Sequence, residues 1–403
     1  MTLPVDTGTP SAKKATVSVR DWVKVCALSL LTICILSVLV ELTARLLFPM
    51  SKATGVGEDC LILQEGTEGV RGVPNCVVWE KPAEGELADY RFNSSGYRND
   101  RDFAPKAPGT FRIVILGTSM ATGLRVPQEK IFSTLLPAEL SQRTGRKVEL
   151  YNLGLPWRSP NAIAHHLDEA IALKPDMILW VITTRDVSKT SWLAPMKETS
   201  TRNLHQDTWA HLKSALAPQA LKTRISTDLS QMRTVMMLRN FLYSSPSLYV
   251  QSALLGADFD PNFLQAKPTE KWQTQLKQFD SSAAAIEEQS LKAGIPFAAV
   301  LIPDRIQVAM VSMMGDWPEG LDPNKLDHDL HSIITSHGGT YIEILPDFRT
   351  IPNPGTEYMA VDGHPNSAGH ATIAKFLTNK LAGAIPPEPN AGPKPQAGSQ
   401  PGQ

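Results

Sequence analysis

The chain has 403 residues, of which 42% are hydrophobic and 20% are charged. This composition supports a sizeable hydrophobic core and excludes global disorder. The formal net charge of −1 at pH 7 provides no basic footprint for a nucleic-acid partner.

The first strong signal along the chain is an uncharged apolar run over residues 25–40. With its flanks, the segment 22–48 is long enough to cross a bilayer core of about 30 Å as a helix that rises about 1.5 Å per residue. Glu41 and Arg45 lie one helical turn apart near its far end, and we expect them to pair there. The sequence therefore predicts one transmembrane helix over 22–48.

Basic residues around this run set its orientation. They are Lys13, Lys14, Arg20 and Lys24 before the run, and Arg45 and Lys52 shortly after it. The positive-inside bias predicts a cytoplasmic segment 1–21 and a single pass through a membrane, with the remaining chain on the far side. A cleaved signal peptide is the rival interpretation, but the basic region is long and no clean small-x-small site follows the run. A buried core helix is a weaker rival, because no partner element precedes it.

The cysteines lie near the N-terminus: Cys26, Cys34, Cys60 and Cys76. None falls in the bulk of the chain, so the sequence indicates neither a cysteine nucleophile nor a zinc site. Outside the cytosol, a Cys60–Cys76 disulfide and two free thiols are both open, since spacing alone does not show that the geometry fits. Residues 51–110 are rich in Gly, Pro and Glu, and we interpret 49–89 as a linker that wraps into the domain.

From residue 111, apolar runs typical of buried strands alternate with segments of helical spacing. The predicted strands are 111–116, 148–153, 177–183, 297–303 and 340–345. The predicted helices are 128–143, 160–173, 271–293, 324–336 and Ser367–Leu381. This alternation indicates parallel βαβ units. The predicted fold is α/β, a three-layer sandwich over residues 90–385 with a five-stranded parallel sheet and helices on both faces.

The alternation is interrupted over 187–268, which we treat as an insertion. It contains one long helical segment, 218–243, which Ser244-Ser245-Pro246 would stop or kink. This helix could lie on the membrane surface or cap the site, but packing on the core is the interpretation we favour. The tail 386–403 is rich in Pro and Gly and is predicted to be disordered.

Three segments fall where open α/β sheets place their sites, at the carboxyl ends of strands. GTSMATG, residues 117–123, follows the first strand and presents Ser119. A serine is a nucleophile only if a base removes its proton, and taken alone such a turn is more often a helix cap.

The other two segments supply the candidate partners of this serine. YNLGLPW, residues 151–157, contains Gly154, which lets the backbone approach a ligand closely, although alone it reads as a turn glycine. VDGHPNSAGH, residues 361–370, contains Asp362 and His364. Asp362 is placed to hold the His364 imidazole in the tautomer whose free nitrogen faces the serine.

Together these segments resemble the SGNH/GDSL hydrolase superfamily. GTSMATG is similar to its first block, usually Gly-Asp-Ser-x-x-x-Gly, YNLGLPW to its second block and DGHPNSAGH to its last, in the right order. The stretch from Phe92 to Gly117 also resembles bacterial membrane-anchored members, which implies a single pass through a bacterial inner membrane with the domain on the periplasmic or extracellular side. The resemblance covers roughly 90–185 and 295–385, and it implies a parallel sheet of flavodoxin-like order.

The resemblance also implies roles for individual residues. Ser119 would be the nucleophile, His364 the general base and Asp362 the residue that orients the base. The backbone amides of Ser119 and Gly154 would bind the oxyanion. We expect no cofactor and no metal.

The sequence departs from the family pattern at three places. Thr118 replaces the Asp of the first block, and the last-block Asp and His are two apart where three is commoner. The third block usually ends in Asn-Asp, but this chain reads VITTRDV, which puts Arg185 where an oxyanion Asn is expected. Arg185 could donate instead, it could fill the pocket and weaken the activity, or Thr184 could take the role.

The leading hypothesis is a membrane-anchored serine acyl-ester hydrolase or O-acyltransferase acting on an acyl-ester or acylated glycan. Acetyl groups of a cell-surface polysaccharide are the expected substrate only by analogy with the family and from the predicted location. The alternative is a catalytically weak SGNH-fold binding or scaffold protein of an envelope polysaccharide assembly, supported mainly by Arg185. Phosphate binding at 117–123 lacks the Gly-Lys-Ser/Thr pattern that it requires.

Overall fold

The computed structural model describes residues 18–47, 60–63, 70–82, 84–188, 232–256 and 259–387. Several predicted features therefore lie mostly or wholly outside the described residues. They are the cytoplasmic segment 1–21, most of the insertion 187–268 with the first part of the helix predicted at 218–243, and the tail 386–403.

A parallel sheet forms the centre of the molecule. Its strands are β5 (Phe111–Gly117), β6 (Val148–Asn152), β7 (Met177–Ile182), β8 (Phe297–Leu301) and β9 (Thr340–Ile342). In the described part of the chain the sheet has five strands in the order β6-β5-β7-β8-β9, and every neighbouring pair is parallel. This is the predicted flavodoxin-like order, in which the first strand of the sheet lies between the second and the third. All residues of β5, β7 and β8 are buried, as expected for apolar runs covered on both faces.

Helices cover both faces of the sheet. In chain order they are α2 (Ser119–Thr122), α3 (Phe132–Thr144), α4 (Pro160–His165), α5 (Leu167–Ala172), α6 (Thr184–Ser188), α7 (Arg233–Leu242), α8 (Pro246–Leu255), α9 (Glu270–Lys292), α10 (Arg305–Ser312), α11 (Lys325–Ser336) and α12 (Ser367–Leu381), all of which follow the N-terminal α1 (Val19–Leu47). Helices α3 and α12 pack on one face of the sheet, and α4, α5, α9 and α11 pack on the other. The predicted three-layer architecture is confirmed.

Alternate side chains along each strand point to opposite faces of the sheet and contribute to two separate parts of the core. Ile113 and Leu179 face the α3–α12 side, whereas Val114 and Trp180 face the α9 side. The Trp180 ring stacks on Phe279 of α9 with centroids 5.1 Å apart. Complete burial of side chains of this size stabilises the fold by about 1.5–3 kcal/mol each.

Several predicted boundaries differ from the observed ones. The helix predicted over 160–173 is divided at His166, where ψ is 16° and the imidazole contacts Glu169 at 3.2 Å. The strand predicted over 340–345 ends at Ile342, and Leu345 begins a short 3-10 helix with Pro346 in its first turn. The end of the predicted strand is therefore taken up by the start of this 3-10 helix, whose N-cap is Ile344.

The segment interpreted as a linker contains regular structure. In its described part, β1 (Leu61–Leu63) pairs with β2 (Val70–Gly72), and β3 (Val77–Glu80) pairs with β4 (Ala88–Arg91), both antiparallel. A Cys60–Cys76 disulfide with a Cα–Cα distance of 5.6 Å joins these hairpins. The structure therefore resolves the two cysteine alternatives in favour of the disulfide.

Helix α1 lies at the N-terminal end of the described chain. It is long and apolar enough to cross a membrane, and its side chains are exposed except for Glu41 and Ala44. The predicted pair forms, since Arg45 Nε donates to Glu41 Oε1 at 2.8 Å. Glu41 also accepts the backbone N–H groups of Arg233 and Thr234, in the first turn of α7.

Helix α7 is the described part of the helix predicted over 218–243. It ends at Leu242, and Pro246 opens α8, as the predicted stop implied. No residue of α7 is buried. In this described part the expected packing on the core is not found, because Arg233–Leu242 lies on the surface with apolar side chains facing outwards. The first part of the predicted helix lies outside the described residues.

Candidate active site

The turn after β5 presents Ser119. Gly117 ends the strand with φ 152°, and a Cβ there would lie 2.7 Å from the Val181 carbonyl oxygen, so only glycine fits. Ser119 then opens the single turn α2, which Gly123 closes with φ 72°. Thr118, which replaces the family's Asp, supports this turn because its carbonyl oxygen accepts from the Thr122 N–H and hydroxyl. The turn 117–123 thus holds the Ser119 hydroxyl at the carboxyl edge of the sheet.

The structure brings the three predicted triad residues together. His364 Nε2 lies 3.0 Å from Ser119 Oγ, and His364 Nδ1 lies 2.6 Å from Asp362 Oδ1. The side chains of His364 and Asp362 are 17% and 16% exposed, so the contacts are shielded without being sealed from solvent. Both distances are within the hydrogen-bond reach that nucleophile activation requires.

The electrostatics suit a base at His364. Burial raises the pKa of Asp362, but the His364 hydrogen bond and the charges of His364 and Arg125 outweigh it and lower the pKa to about 2. Asp362 is therefore ionised at neutral pH and favours a proton on His364 Nδ1, which leaves Nε2 free to accept from Ser119.

A second histidine in the same segment has a different role. His370 is buried, its ring stacks on Phe132, and its Nδ1 accepts the Phe132 backbone N–H at 3.2 Å. Burial, together with the charges of Arg98 and His364, lowers the pKa of His370 to about 3. His370 is thus a neutral structural residue and not a second base.

Three residues that sequence reasoning missed hold the catalytic loop, residues 359–366. Arg125 Nη1 donates to Asp362 Oδ2, so both carboxylate oxygens of Asp362 have partners. Glu84 accepts the N–H groups of Val361 and Asp362 at 2.9 and 3.0 Å. Arg305 Nη1 donates to the Ala360 carbonyl oxygen.

Of these three residues, only Arg125 could have been suspected from the sequence, because it lies six residues after Ser119. Glu84 and Arg305 come from remote segments and form no motif with the loop that they hold.

The predicted oxyanion donors differ in availability. Ser119 opens α2, where the first N–H groups of a helix have no acceptor within the helix. The Gly154 N–H instead donates to Asn152 Oδ1 at 2.8 Å. The Asn152 amide is itself fixed by the Ala121 carbonyl oxygen at 2.6 Å. Use of the Gly154 amide would therefore require this local hydrogen bond to open.

The third-block residues do not supply a fixed replacement donor. Arg185 is exposed on α6, and among the described residues its side chain has no hydrogen-bond partner. The Thr184 hydroxyl donates to Asp304 Oδ2 at 2.7 Å and is engaged there. Asp186 is fully buried and accepts from Thr183 N and Oγ1, and burial raises its pKa to about 7 despite these bonds. The block therefore braces the turn after β7 through Asp186.

The sheet order and the places of the three sequence blocks in it identify the architecture. The first block follows β5 and the second follows β6, its neighbour in the sheet. The last block brings Asp362 and His364 to the serine of the first. The chain has the flavodoxin-like, three-layer α/β fold that the resemblance to SGNH/GDSL hydrolases implied.

Comparisons with solved structures find esterases and an acylhydrolase at low identity. An esterase EstA from Pseudoalteromonas sp. is 11% identical, with 68% of this chain and 97% of that chain covered and a TM-score of 0.35. The acetyl xylan esterase AlAXEase is 12% identical, with 67% of this chain and 98% of that chain covered and a TM-score of 0.36. A lipase/acylhydrolase from Enterococcus faecalis is 11% identical, with 69% and 98% covered and a TM-score of 0.37. No family model and no curated protein matches the chain.

Proposed function

We propose that the chain is a membrane-anchored serine acyl-ester hydrolase or O-acyltransferase that acts outside the cytosol. The observation that carries the proposal is the continuous set of contacts from Ser119 Oγ to His364 Nε2 at 3.0 Å and from His364 Nδ1 to Asp362 at 2.6 Å. Nucleophile, base and orienting carboxylate stand in the relation that acyl transfer requires.

In the proposed mechanism, Ser119 Oγ attacks the ester carbonyl carbon while His364 Nε2 takes the serine proton. The resulting oxyanion is stabilised by the Ser119 N–H, and a donor of this kind contributes about 3–4 kcal/mol. Collapse of the intermediate breaks the ester C–O bond, and His364 returns its proton to the departing alkoxide oxygen. Water or a sugar hydroxyl then attacks the acyl-serine carbonyl carbon and loses its proton to His364. Collapse of this second intermediate breaks the bond between the acyl carbon and Ser119 Oγ, and His364 returns the proton to Ser119 Oγ.

The choice between water and a sugar hydroxyl decides between hydrolase and acyltransferase, and the same residues serve both. We propose acetyl groups of a cell-surface polysaccharide as the acyl groups. Family analogy and the proposed location support this assignment.

Two features support the anchored location outside the cytosol. The Cys60–Cys76 disulfide fits an oxidising compartment. Glu41 of α1 accepts the N–H groups at the start of α7, so cleavage of α1 as a signal peptide would remove a group that the domain uses. Retention of α1 as a membrane helix keeps this contact.

A second candidate is a binding or scaffold protein with weak catalysis. The occupied Gly154 N–H and the unheld Arg185 side chain favour it, because both leave the oxyanion with few fixed donors. This candidate predicts a folded triad with little turnover.

The two candidates are separated by turnover of a small soluble acetyl ester by the full-length chain in detergent. The enzyme proposal predicts that Ser119→Ala lowers kcat by at least about 10⁴-fold. Ser281→Ala, an exposed serine on α9, is the matched control and should keep wild-type turnover. Equal turnover of wild type and Ser119→Ala would overturn the enzyme proposal. Adding a soluble oligosaccharide and measuring its acetylation against released acetate then separates transferase from hydrolase.

A further inference from the structure

Helix α7 has an apolar surface with no protein partner among the described residues. Met237, Leu238, Phe241 and Leu242 are 46%, 58%, 75% and 39% exposed. Leu238, Phe241 and Leu242 follow Met237 by one, four and five residues, which places all four on one side of the helix. We call these four residues the α7 apolar face.

The polar side of α7 contacts the domain. Asn240 Nδ2 donates to Glu84 Oε1 at 3.0 Å. The carbonyl oxygen of Tyr243, just after the helix, accepts from Arg305 Nη2 at 2.6 Å. Helix α7 is thus held in one orientation, with its apolar face directed away from the protein.

The start of α7 is fixed beside the end of α1. Glu41 accepts the Arg233 and Thr234 N–H groups at 3.0 and 3.1 Å, and its carboxylate suits the positive end of the helix dipole. If α1 enters the bilayer near Trp22, about 20 residues cross the hydrocarbon core, which places Glu41 at the far interface. Helix α7 therefore begins at the level where the membrane meets water.

The bilayer is the occupant that these positions favour. Leu42 and Leu46 of α1, next to Glu41, are 54% and 82% exposed and continue the apolar surface from the membrane helix towards α7. A helix with one apolar side and a polar opposite side lies along an interface with its apolar side in the headgroup and acyl boundary.

We propose that the α7 apolar face lies in the outer interface of the membrane that α1 spans, and that this contact holds the catalytic loop at the membrane surface. The proposal rests on the membrane anchoring proposed above. Glu84 links the two parts directly, because it accepts from Asn240 of α7 and from the Val361 and Asp362 N–H groups of the loop. Arg305 makes a second link, from the Tyr243 carbonyl oxygen to that of Ala360.

A cavity of about 260 Å³ lies between α7 and the catalytic loop. Its lining includes Glu84, Asn240, Tyr243, Arg305, Met359 and Ala360. Residues at α7 thus line one side of this cavity, and Met359 and Ala360 of the loop that carries Asp362 line the other.

The test uses the full-length chain in nanodiscs of phosphatidylethanolamine and phosphatidylglycerol, with nitroxide labels on single introduced cysteines. Cys26 and Cys34 are replaced by serine, since both are free and exposed. Leu238→Cys reports on the α7 apolar face. Leu291→Cys on α9 is the matched control, because these leucines are 58% and 51% exposed. The readout is the collision rate of each label with oxygen, which partitions into lipid, and with a water-soluble nickel chelate.

The proposal predicts that the ratio of oxygen to nickel collisions is at least severalfold higher at position 238 than at position 291. Equal ratios would overturn it. A label at Leu36→Cys in α1 tests the anchor separately: shielding at 36 without shielding at 238 rejects the docking of α7 alone. If 36 is also open to the nickel chelate, the anchoring itself fails and the docking falls with it.

A measurement on the unlabelled chain removes dependence on the cysteine variants. In nanodiscs, hydroxyl-radical oxidation of Met237 is compared with that of Met314, which is 91% exposed. Exposure alone predicts a twofold slower rate at Met237, which is 46% exposed. Bilayer contact predicts a rate at least tenfold slower, and a twofold difference would contradict the proposal.

Discussion

Replacing Gly154 with alanine tests how closely the end of β6 packs on the turn that carries Ser119. An added Cβ would lie 2.6 Å from Ala121 Cβ, 2.9 Å from Asn152 Oδ1 and 3.0 Å from the Thr122 backbone nitrogen. Ala121 and Thr122 belong to α2, so relief of the overlap requires a shift of the helix that begins at Ser119.

The expected effects follow from this overlap. Overpacking of a tight site costs about 1–3 kcal/mol of stability. In a domain of this size each kcal/mol lowers Tm by roughly 2–4 °C. Because Ser119 Oγ lies 3.0 Å from His364 Nε2, a displacement approaching 1 Å reduces kcat/KM by up to about 10²-fold.

The assay is hydrolysis of a soluble acetyl ester, with thermal unfolding followed on the same full-length sample. Gly383→Ala is the matched control, since a Cβ at Gly383 would meet nothing within 4 Å. If Gly154→Ala matches Gly383→Ala in both kcat/KM and Tm, the packing argument is refuted.

Three further outcomes are expected. Arg125→Met removes one partner of Asp362 but leaves the carboxylate and its bond to His364, so we expect a loss of kcat of about fivefold, the equivalent of about 1 kcal/mol for a partly exposed charged hydrogen bond. Cys60→Ser opens a loop with a sequence separation of 16 and should lower the free energy of unfolding by about 3 kcal/mol, measured by denaturant titration under non-reducing conditions. The pKa of Asp186 is raised from 3.8 to about 7, so the folded state binds its proton more tightly and wild-type stability falls as pH rises between these values. Asp186→Asn should therefore gain stability relative to wild type across that window, by chemical denaturation at a series of pH values.

Each of these variants has a control and a contradicting result. The control for Arg125→Met is Arg91→Met, which removes an exposed arginine that pairs with Asp89. An equal loss of kcat in Arg91→Met would mean that the loss of any positive charge lowers kcat, and not the loss of the contact with Asp362. A wild-type denaturation midpoint for Cys60→Ser would argue against the disulfide. Asp316→Asn changes an exposed aspartate, and a parallel pH dependence in this variant would remove Asp186 as the cause.

The sheet was predictable because its central strands are predominantly apolar. The runs that form β5, β7 and β8 are buried on both faces, and such runs are hard to place elsewhere in a fold. The hairpins β1 to β4 were missed because they are three or four residues long and lie in Gly- and Pro-rich sequence. Their pairing is set by contacts with the domain and the disulfide, which local pattern does not encode.

The line of contacts from Ser119 to Asp362 was predictable because each residue sits in a recognisable block. Its supports were not, since Glu84 and Arg305 reach the loop from distant segments. The engagement of the Gly154 amide was also hidden, because it depends on the rotamer of Asn152. The surface position of α7 was missed because its apolar residues suit a core and a membrane interface equally well.

The central claim is that Ser119 is a nucleophile activated by His364. The most direct test treats the full-length chain with a fluorophosphonate and locates the adduct by mass spectrometry of its peptides. The account predicts one phosphonylated residue, Ser119, and loss of the adduct in Ser119→Ala and in His364→Ala. A folded wild-type chain that stays unlabelled, or labels on another serine, would contradict it.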